Sequence, residues 1–261
     1  MTDTAAKGDW GLRLSWVALA LSVGGLAAAL VAAAGSGAGA WPFRTGFTIL
    51  RYAFYAAIAG GLLAIVAFGV SRRSGASTGR INLVAFLIAA AFGAYLMSHI
   101  ATARRVPAIH DATTDRVDVP QFRALSVRAD NLENIPDDGR PDLAALDPER
   151  RWSAIHREAY GDLRSLRLAV SPAEAVRRAE ALVRARDWHV ARVDTQAGVV
   201  EATATTLFFR FKDDLVVRVR ADPDRPGKSI VDMRSISRVG GSDVGVNAQR
   251  IRAFLADLQA A

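Results

Sequence analysis

The sequence predicts an α+β membrane protein, with three transmembrane helices followed by one soluble domain of element order β-α-β-β-β-β-α. Three observations predict it. No acidic residue lies between Asp9 and Asp111, whereas acidic and basic residues alternate freely after Asp111. The acid-free part holds three apolar runs, each close to the ~20 residues with which a helix crosses ~30 Å of hydrocarbon. In the C-terminal part, four segments of strand-like alternation separate two segments of helical periodicity.

The first 103 residues form the predicted anchor, with apolar runs at about 14–34, 48–70 and 81–100. Tryptophan and tyrosine residues near the ends of the first two runs are typical of the membrane interface. The first run could instead be a signal peptide, since Ala38-Gly39-Ala40 would suit a signal peptidase. Its length exceeds the ~7–15 residues of a signal core, which favours a retained helix.

Small residues recur four apart within these runs, as in Ala20-Gly24, Gly25-Ala29, Ala56-Gly60 and Gly60-Ala64. Such spacing allows helices to pack closely, but it also arises by chance in alanine-rich helices. No ionisable residue lies in the middle of a run, as a proton or ion path would normally require. The helices are therefore predicted to be an anchor and not a transporter.

The positive charge of the chain is concentrated beside the membrane helices. The net charge is +7, of which residues 1–103 carry +5 and the longer remainder only +2. This distribution indicates contact with lipid and not with nucleic acid. Three arginines, Arg72, Arg73 and Arg80, occupy the short loop after the second run, and Lys7 and Arg13 share their side. Positive residues favour the cytoplasm, so the sequence predicts a multi-pass inner-membrane protein with a periplasmic soluble domain.

Residues 104–162 are predicted to be an irregular, proline-rich segment with a short helix near 148–159, and residues 163–261 the soluble domain. Ser171-Pro172-Ala173-Glu174 is a strong helix start, because Ser171 can cap and Pro172 fits the first helical position. An antiparallel sheet with two helices on one face would bury both apolar stripes, as in helix-grip or TATA-binding-protein-like folds. The other face would be polar, with Arg218, Arg220 and serines of the last strand, and either wet or covered by residues 104–162.

Three further stretches carry a family resemblance: Pro107 to Asp115, Phe211 to Asp214, and Arg234 to Asp243 continuing to Asn247 and Arg250. Together they resemble the bacterial family known as domain of unknown function 1499, over about residues 107–258. Gly161 departs from the pattern, which has proline after the tyrosine. The resemblance implies a location in the cell envelope, because members often carry a membrane helix or a lipoprotein leader. It implies no activity.

The junction between the last strand and the last helix is the leading candidate site. Its glycines could present backbone N–H groups at a helix N-terminus, which suits an anion, and two arginines could add bidentate contacts. The alternative is a structural turn with a capping side chain. The predicted anion-binding residues are Arg238, Gly240, Ser242, Asp243, Asn247 and Arg250.

A second polar set comprises His110, Asp111, Thr114, Asp115, Lys212, Asp213, Asp214, Arg218 and Arg234. The first four could bind a metal or hold local turns, and Lys212 to Asp214 could bind a cation, organise the arginines or form a charged hairpin turn. We expect no metal and no cofactor.

Two function classes remain open. The first is a membrane-anchored binding or scaffold module for an anionic ligand, a lipid headgroup or a protein partner. The second is a hydrolase or transferase acting at the membrane surface. The chain has no cysteine, and no nucleophile-elbow motif surrounds Ser242. The sequence therefore favours the binding module and assigns no catalytic residue.

Overall fold

The computed structural model describes the backbone of residues 2–75 and 77–261, and side chains from residue 10 onward with the same gap. Two compact units make up the chain. The membrane unit comprises residues 1–101 and 207–210, and the soluble unit residues 102–206 and 211–261.

Three long apolar helices form the membrane unit, as predicted: α1 (Thr2–Gly37), α2 (Phe43–Ser74) and α3 (Gly79–Ala103). By length and composition each can cross a membrane. All three extend beyond the predicted apolar runs, because a helix continues into its polar flanks until a breaker stops it. Gly75 provides such a stop for α2, with a φ of 74°. The Lys7 side chain, which the topology prediction counts, lies outside the described side chains.

Small residues allow α1 and α2 to approach each other closely. A Cβ on Gly25 would lie 2.6 Å from the carbonyl oxygen of Ala53, and one on Gly60 would lie 2.5 Å from Ser22 Oγ. Ala29 and Ala64 are buried beside them. Gly24 has no such neighbour within 4 Å. Of the spaced pairs, Gly25-Ala29 and Gly60-Ala64 therefore serve helix association, whereas Ala20-Gly24 does not.

The soluble unit has the predicted α+β layout. Its strands are β1 (Asp111–Thr113), β2 (Leu166–Leu168), β3 (His189–Asp194), β4 (Val199–Thr205), β5 (Lys212–Ala221) and β6 (Ser229–Ser237). Its helices are α4 (Pro141–Ala144), α5 (Pro148–Tyr160), α6 (Pro172–Ala185) and α7 (Val246–Ala260). From β2 onward the order is the predicted β-α-β-β-β-β-α. The segment before it is not wholly irregular, since it contributes β1, α4 and α5.

The six strands form one antiparallel sheet in the order β1-β6-β5-β4-β3, and β2 also pairs with β6. The two short strands lie along the same edge of β6, with β1 opposite Arg234–Ile236 and β2 opposite Ser229–Val231. Strand β1 was not predicted, because three residues carry no readable alternation.

Helices α6 and α7 pack on one face of the sheet. Ser171 Oγ accepts a hydrogen bond from the Glu174 backbone N–H at 3.3 Å, so the predicted cap forms. Val183 is fully buried, whereas Leu182 is only partly buried. The shared core lies between these helices and the inward side chains of the sheet, among them Val200, Ala202, Leu215, Val217 and Met233.

The opposite face of the sheet is polar but not wet. Glu201 and Asp232 are fully buried on it, and Arg234 is 7% exposed. Residues 115–131, which we call the covering segment, lie over this face. Ser235 and Ser237 were expected on the polar face, and this was wrong. Ser235 lies opposite Leu215 and bonds to Asn247 of α7, which places it on the helix face.

Candidate functional site

Two adjacent aspartates of β5 separate the two arginines of the predicted anion site. Side chains of consecutive strand residues point to opposite faces of a sheet. Arg250 Nη2 bonds to Asp213 at 2.7 Å from the helix face, and Arg238 bonds to both carboxylate oxygens of Asp214 on the other face, at 2.8 and 2.9 Å. The structure therefore does not bring Arg238 and Arg250 to one point.

On the helix face, Arg250 and Asn247 belong to a closed network. Asn247 is fully buried and bonds to Ser235 Oγ at 2.7 Å, to Ser237 Oγ at 3.0 Å and to the His110 carbonyl at 3.0 Å. Arg250 reaches Ser235 Oγ at 3.0 Å, and its side chain is 10% exposed. These groups hold the start of α7 against β6 and leave little room for a ligand.

The N-terminus of α7 already has an anion, which is the carboxylate of Asp243. Its oxygens accept the backbone N–H groups of Gly245 at 2.9 Å and Asn247 at 2.7 Å. Burial raises the pKa of Asp243 above its ordinary value, although these hydrogen bonds oppose the shift. Ser242 Oγ accepts the Val244 N–H, and the Gly240 carbonyl accepts a bond from Arg128. The chain thus supplies its own carboxylate at this junction, as in the alternative of a structural turn with a capping side chain, and the binding of an external anion there stays a prediction.

On the opposite face, Arg238 borders a pocket of about 260 Å³ between the covering segment and the adjoining ends of β5 and β6. Its lining residues are Ser126, Val127, Arg128, Asp214, Ile236, Ser237 and Arg238. The Arg238 side chain is 42% exposed. Its Nη1 nitrogen has no hydrogen-bond partner among the described residues, whereas Nε and Nη2 bind Asp214. This nitrogen can therefore donate a hydrogen bond to an additional acceptor.

Two arginines line the pocket, and each is paired with an aspartate. Arg128 bonds to Asp130 through two nitrogens and to the Gly240 carbonyl through the third. The hydrogen bond to Asp214 raises the pKa of Arg238, so the guanidinium stays charged. Because Asp214 is almost fully buried, the solvent side of the ion pair presents mainly the cation. A small group with acceptor oxygens matches this arrangement.

Part of the second polar set forms a buried cluster around β1. Arg234 bonds to both oxygens of Asp111, at 3.0 and 2.6 Å, and Asn131 donates to Asp111 at 2.8 Å. His110 Nε2 lies 3.1 Å from the Asn131 side-chain oxygen. These contacts join residues distant in sequence, so they hold the covering segment. Asp115 does hold a local turn, because it accepts the backbone N–H groups of Val117 at 3.1 Å and Asp118 at 2.9 Å.

Thr114, Asp115 and Arg218 belong to a second cluster around the fully buried Asp232. Thr114 Oγ1 donates to Asp232 at 3.2 Å, and Arg218 bonds to Asp232 at 3.1 Å and to Asp115 at 3.2 Å. Arg220 adds a bond to Asp232 at 2.7 Å. Asp213 and Asp214 do not organise Arg218 or Arg234, because they bind Arg250 and Arg238. The Lys212 side chain is exposed. Among the described residues no group of three or more His, Asp or Glu could hold a metal ion.

Sequence reasoning missed three important residues. Glu201 accepts the backbone N–H groups of Arg123, Ala124 and Leu125 at 2.8–3.1 Å, although it stands inside a strand. Ser126 and Arg128 follow this anchored turn and line the pocket. An isolated glutamate in a strand is usually predicted to be an outward-facing surface residue. The role of Glu201 instead depends on a segment about 75 residues away in sequence.

The fold and the site together define an α+β protein with three candidate membrane spans and a small pocket lined by two arginines in its soluble unit. Residues 113–258, more than half of the chain, match the family described as protein of unknown function (DUF1499), so the chain belongs to the DUF1499 family. This confirms the resemblance seen in the sequence. No curated protein matches the chain.

Proposed function

We propose that this protein is a membrane-tethered binding module that takes a small anionic group, either a lipid headgroup or a free phosphorylated molecule, at the Arg238 pocket. One observation carries the proposal: within the described part of the chain Arg238 Nη1 has no hydrogen-bond partner, while Asp214 binds Nε and Nη2. A guanidinium that is already positioned loses little entropy on binding an oxyanion.

We further propose that the soluble unit lies outside the cytoplasm, in the periplasm of a cell with two membranes. The Arg72, Arg73 and Arg80 loop supports this orientation, because basic residues between spans are retained in the cytoplasm. A reporter that is active only in the cytoplasm, fused after Ala261, should be inactive. Activity of that fusion would reverse the orientation.

The pocket can be tested on the full chain in nanodiscs of neutral lipid, with inorganic phosphate and glycerol phosphate as soluble probes. We expect Arg238→Gln to weaken binding about tenfold or more, because a charge-assisted bond contributes about 1.5–3 kcal/mol. Arg252→Gln is the matched control, since Arg252 is similarly exposed (40%) and also paired with an aspartate. It should bind both probes like the unmodified chain.

Removal of Arg238 alone would leave Asp214 buried without its partner, and loss of folding could imitate loss of binding. The double variant Asp214→Asn/Arg238→Gln removes both charges together. It should recover the melting temperature of the unmodified chain while still failing to bind. The site would be refuted if the unmodified chain bound neither soluble probe and also did not bind phosphatidylglycerol added to its own nanodisc. Binding only to phosphatidylglycerol identifies a lipid headgroup as the source.

A further inference from the structure

The turn between β4 and β5 has an unusual composition for the tip of a hairpin. Leu207-Phe208-Phe209-Arg210 forms the turn, which Thr206 and Phe211 close: the Thr206 N–H donates to the Phe211 carbonyl and the Phe211 N–H donates to Thr206 Oγ1, both at 2.9 Å. Arg210 has a φ of 56°. Turns normally use Gly, Asn, Asp, Ser or Pro at such positions.

This tip exposes large apolar side chains. Leu207 is 79% exposed and Phe208 is 48% exposed. The two turns at the other end of the sheet differ from it. The β3–β4 turn is Thr195-Gln196-Ala197-Gly198 and the β5–β6 turn is rich in Asp, Pro and Gly, with Gly198 and Gly227 at positive φ. Of these three hairpin turns, only the β4–β5 tip therefore exposes large apolar side chains.

From this contrast we infer that the β4–β5 hairpin tip inserts its apolar side chains into the interfacial region of the lipid bilayer. Three facts select the bilayer as the occupant. Arg210 and Lys212 give the segment 206–212 a positive charge with no acidic residue, which complements anionic headgroups. Leucine and phenylalanine beside cationic side chains are typical of interfacial segments.

The third fact is the connection of the soluble unit to the anchor. The chain carries three candidate spans, and the soluble unit follows the last of them directly. This tether keeps the soluble unit within reach of a membrane surface.

Insertion of the tip would bring the Arg238 pocket close to the headgroups. Asp214 follows Arg210 by four strand residues, about 13 Å at ~3.3 Å per residue. The Arg238 N–H donates to the Lys212 carbonyl at 3.0 Å, so the pocket lies at the same end of the sheet as the tip. This consequence rests on the proposed function, whereas insertion of the tip does not.

The chain has no cysteine, so an introduced one can carry a unique polarity-sensitive fluorophore. We would label Phe208→Cys and, as the control, Gln196→Cys, which is exposed in the β3–β4 turn at the other end of the sheet. Each full-length variant would be placed in nanodiscs with and without spin-labelled lipid. We expect blue-shifted emission and lipid-dependent quenching at position 208, and neither at position 196.

Adding Leu207→Asp to the Phe208→Cys chain should reduce the lipid-contacting population at least about tenfold, because in the inserted state a charge then replaces an apolar side chain in contact with lipid. Circular dichroism would verify that this variant still folds. Equal quenching at positions 208 and 196 would overturn the inference. So would a blue shift at 208 that spin-labelled lipid does not quench and that requires two copies per disc, since a second protein chain would then cover the tip. Arg238→Gln should leave quenching at 208 unchanged, which separates this test from that of the pocket.

Discussion

The two faces of the sheet in the soluble unit are buried by different means. On the helix face, valine, leucine and methionine side chains pack against α6 and α7. On the other face, Glu201, Asp232 and the Asp111–Arg234 pair are buried beneath the covering segment. Most of each face is buried, but the first face buries mainly apolar side chains, whereas the second buries several charged ones.

This difference predicts different sensitivities to substitution. Apolar burial stabilises in proportion to area and fails when a charge or a cavity is introduced. Buried charges contribute little net stability while they are paired, and removal of one partner leaves the other uncompensated. Hydrogen bonds of Glu201 to backbone N–H groups of residues 123–125 and of Asn131 to Asp111 hold the covering segment on this face, so its position depends on these polar partners.

The largest expected effect is on the helix face. Val183→Asp would place a carboxylate at a position with no exposure and no partner, and we expect it to cost more than about 4 kcal/mol and to unfold the soluble unit. Leu182→Asp is the matched control, since Leu182 is only partly buried, and its cost should be smaller. Hydrogen exchange of β4, β5 and β6 in the full chain would report both. Similar protection in the two variants would contradict the packing of α6.

Next comes the buried ion pair on the other face. Asp111→Ala should destabilise by about 3–5 kcal/mol, because Arg234, 7% exposed, would lose both of its carboxylate contacts. The double variant Asp111→Leu/Arg234→Met should recover most of that loss, since no charge is then left unpaired. Melting temperatures of the full chain would test this. If the double variant is as unstable as Asp111→Ala, the cost does not come from an uncompensated charge.

The pH dependence of stability gives a third test, at the contact between α5 and the edge strand β1. The Thr113 N–H donates to His156 Nε2 at 3.0 Å, so the ring is neutral with its proton on Nδ1. Burial lowers the pKa of His156 to about 4. The unfolded chain, with a histidine pKa of ~6.5, then binds a proton that the folded chain does not. Stability should fall as pH falls from about 6.5 to about 4, by up to ~3 kcal/mol.

His156→Gln should flatten this pH dependence, whereas His189→Gln, on an exposed position of β3, should not. The raised pKa of Asp243 acts with the opposite sign, because its folded carboxyl binds a proton more readily in acid. The Asp243 contribution therefore offsets part of the loss of folding stability at low pH. A slope between pH 6.5 and 4 that is unchanged by His156→Gln would rule out this histidine as its source.

The smallest effect is expected where the polar face reaches solvent. Arg220 is 43% exposed and shares Asp232 with Arg218. Arg220→Gln should cost less than about 1 kcal/mol, because solvent screens the pair and Arg218 still compensates the buried carboxylate. Chemical denaturation of the full chain would measure it. A cost comparable to that of Asp111→Ala would mean that the ion pairs of the two clusters act as one unit.

The predicted site shows where sequence reasoning succeeds and where it stops. Glycine, serine and aspartate between a strand and a helix indicated either an anion site or a structural turn with Ser242, Asp243 or Asn247 as the cap. Local sequence could not decide that Asp243 accepts the backbone N–H groups there, because capping geometry depends on the backbone path. It also could not separate Arg238 from Arg250. Arg238 lies on the sheet face of Asp214 and Arg250 on the face of Asp213. Which aspartate pairs with which arginine is decided only by the tertiary structure.

The sequence by itself determined the three apolar helices, the Ser171 cap, the order of strands and helices in the soluble unit, and the family. These depend on hydrophobic periodicity, turn residues and short motifs, which are local. Only the tertiary structure decided that residues 115–131 cover the polar face, with Glu201 fixing backbone N–H groups of Arg123, Ala124 and Leu125. It alone placed β1 beside β6 and formed the pocket at Arg238. The physical reason is that a buried charge is stable only beside its partner, and that partner can lie anywhere along the chain.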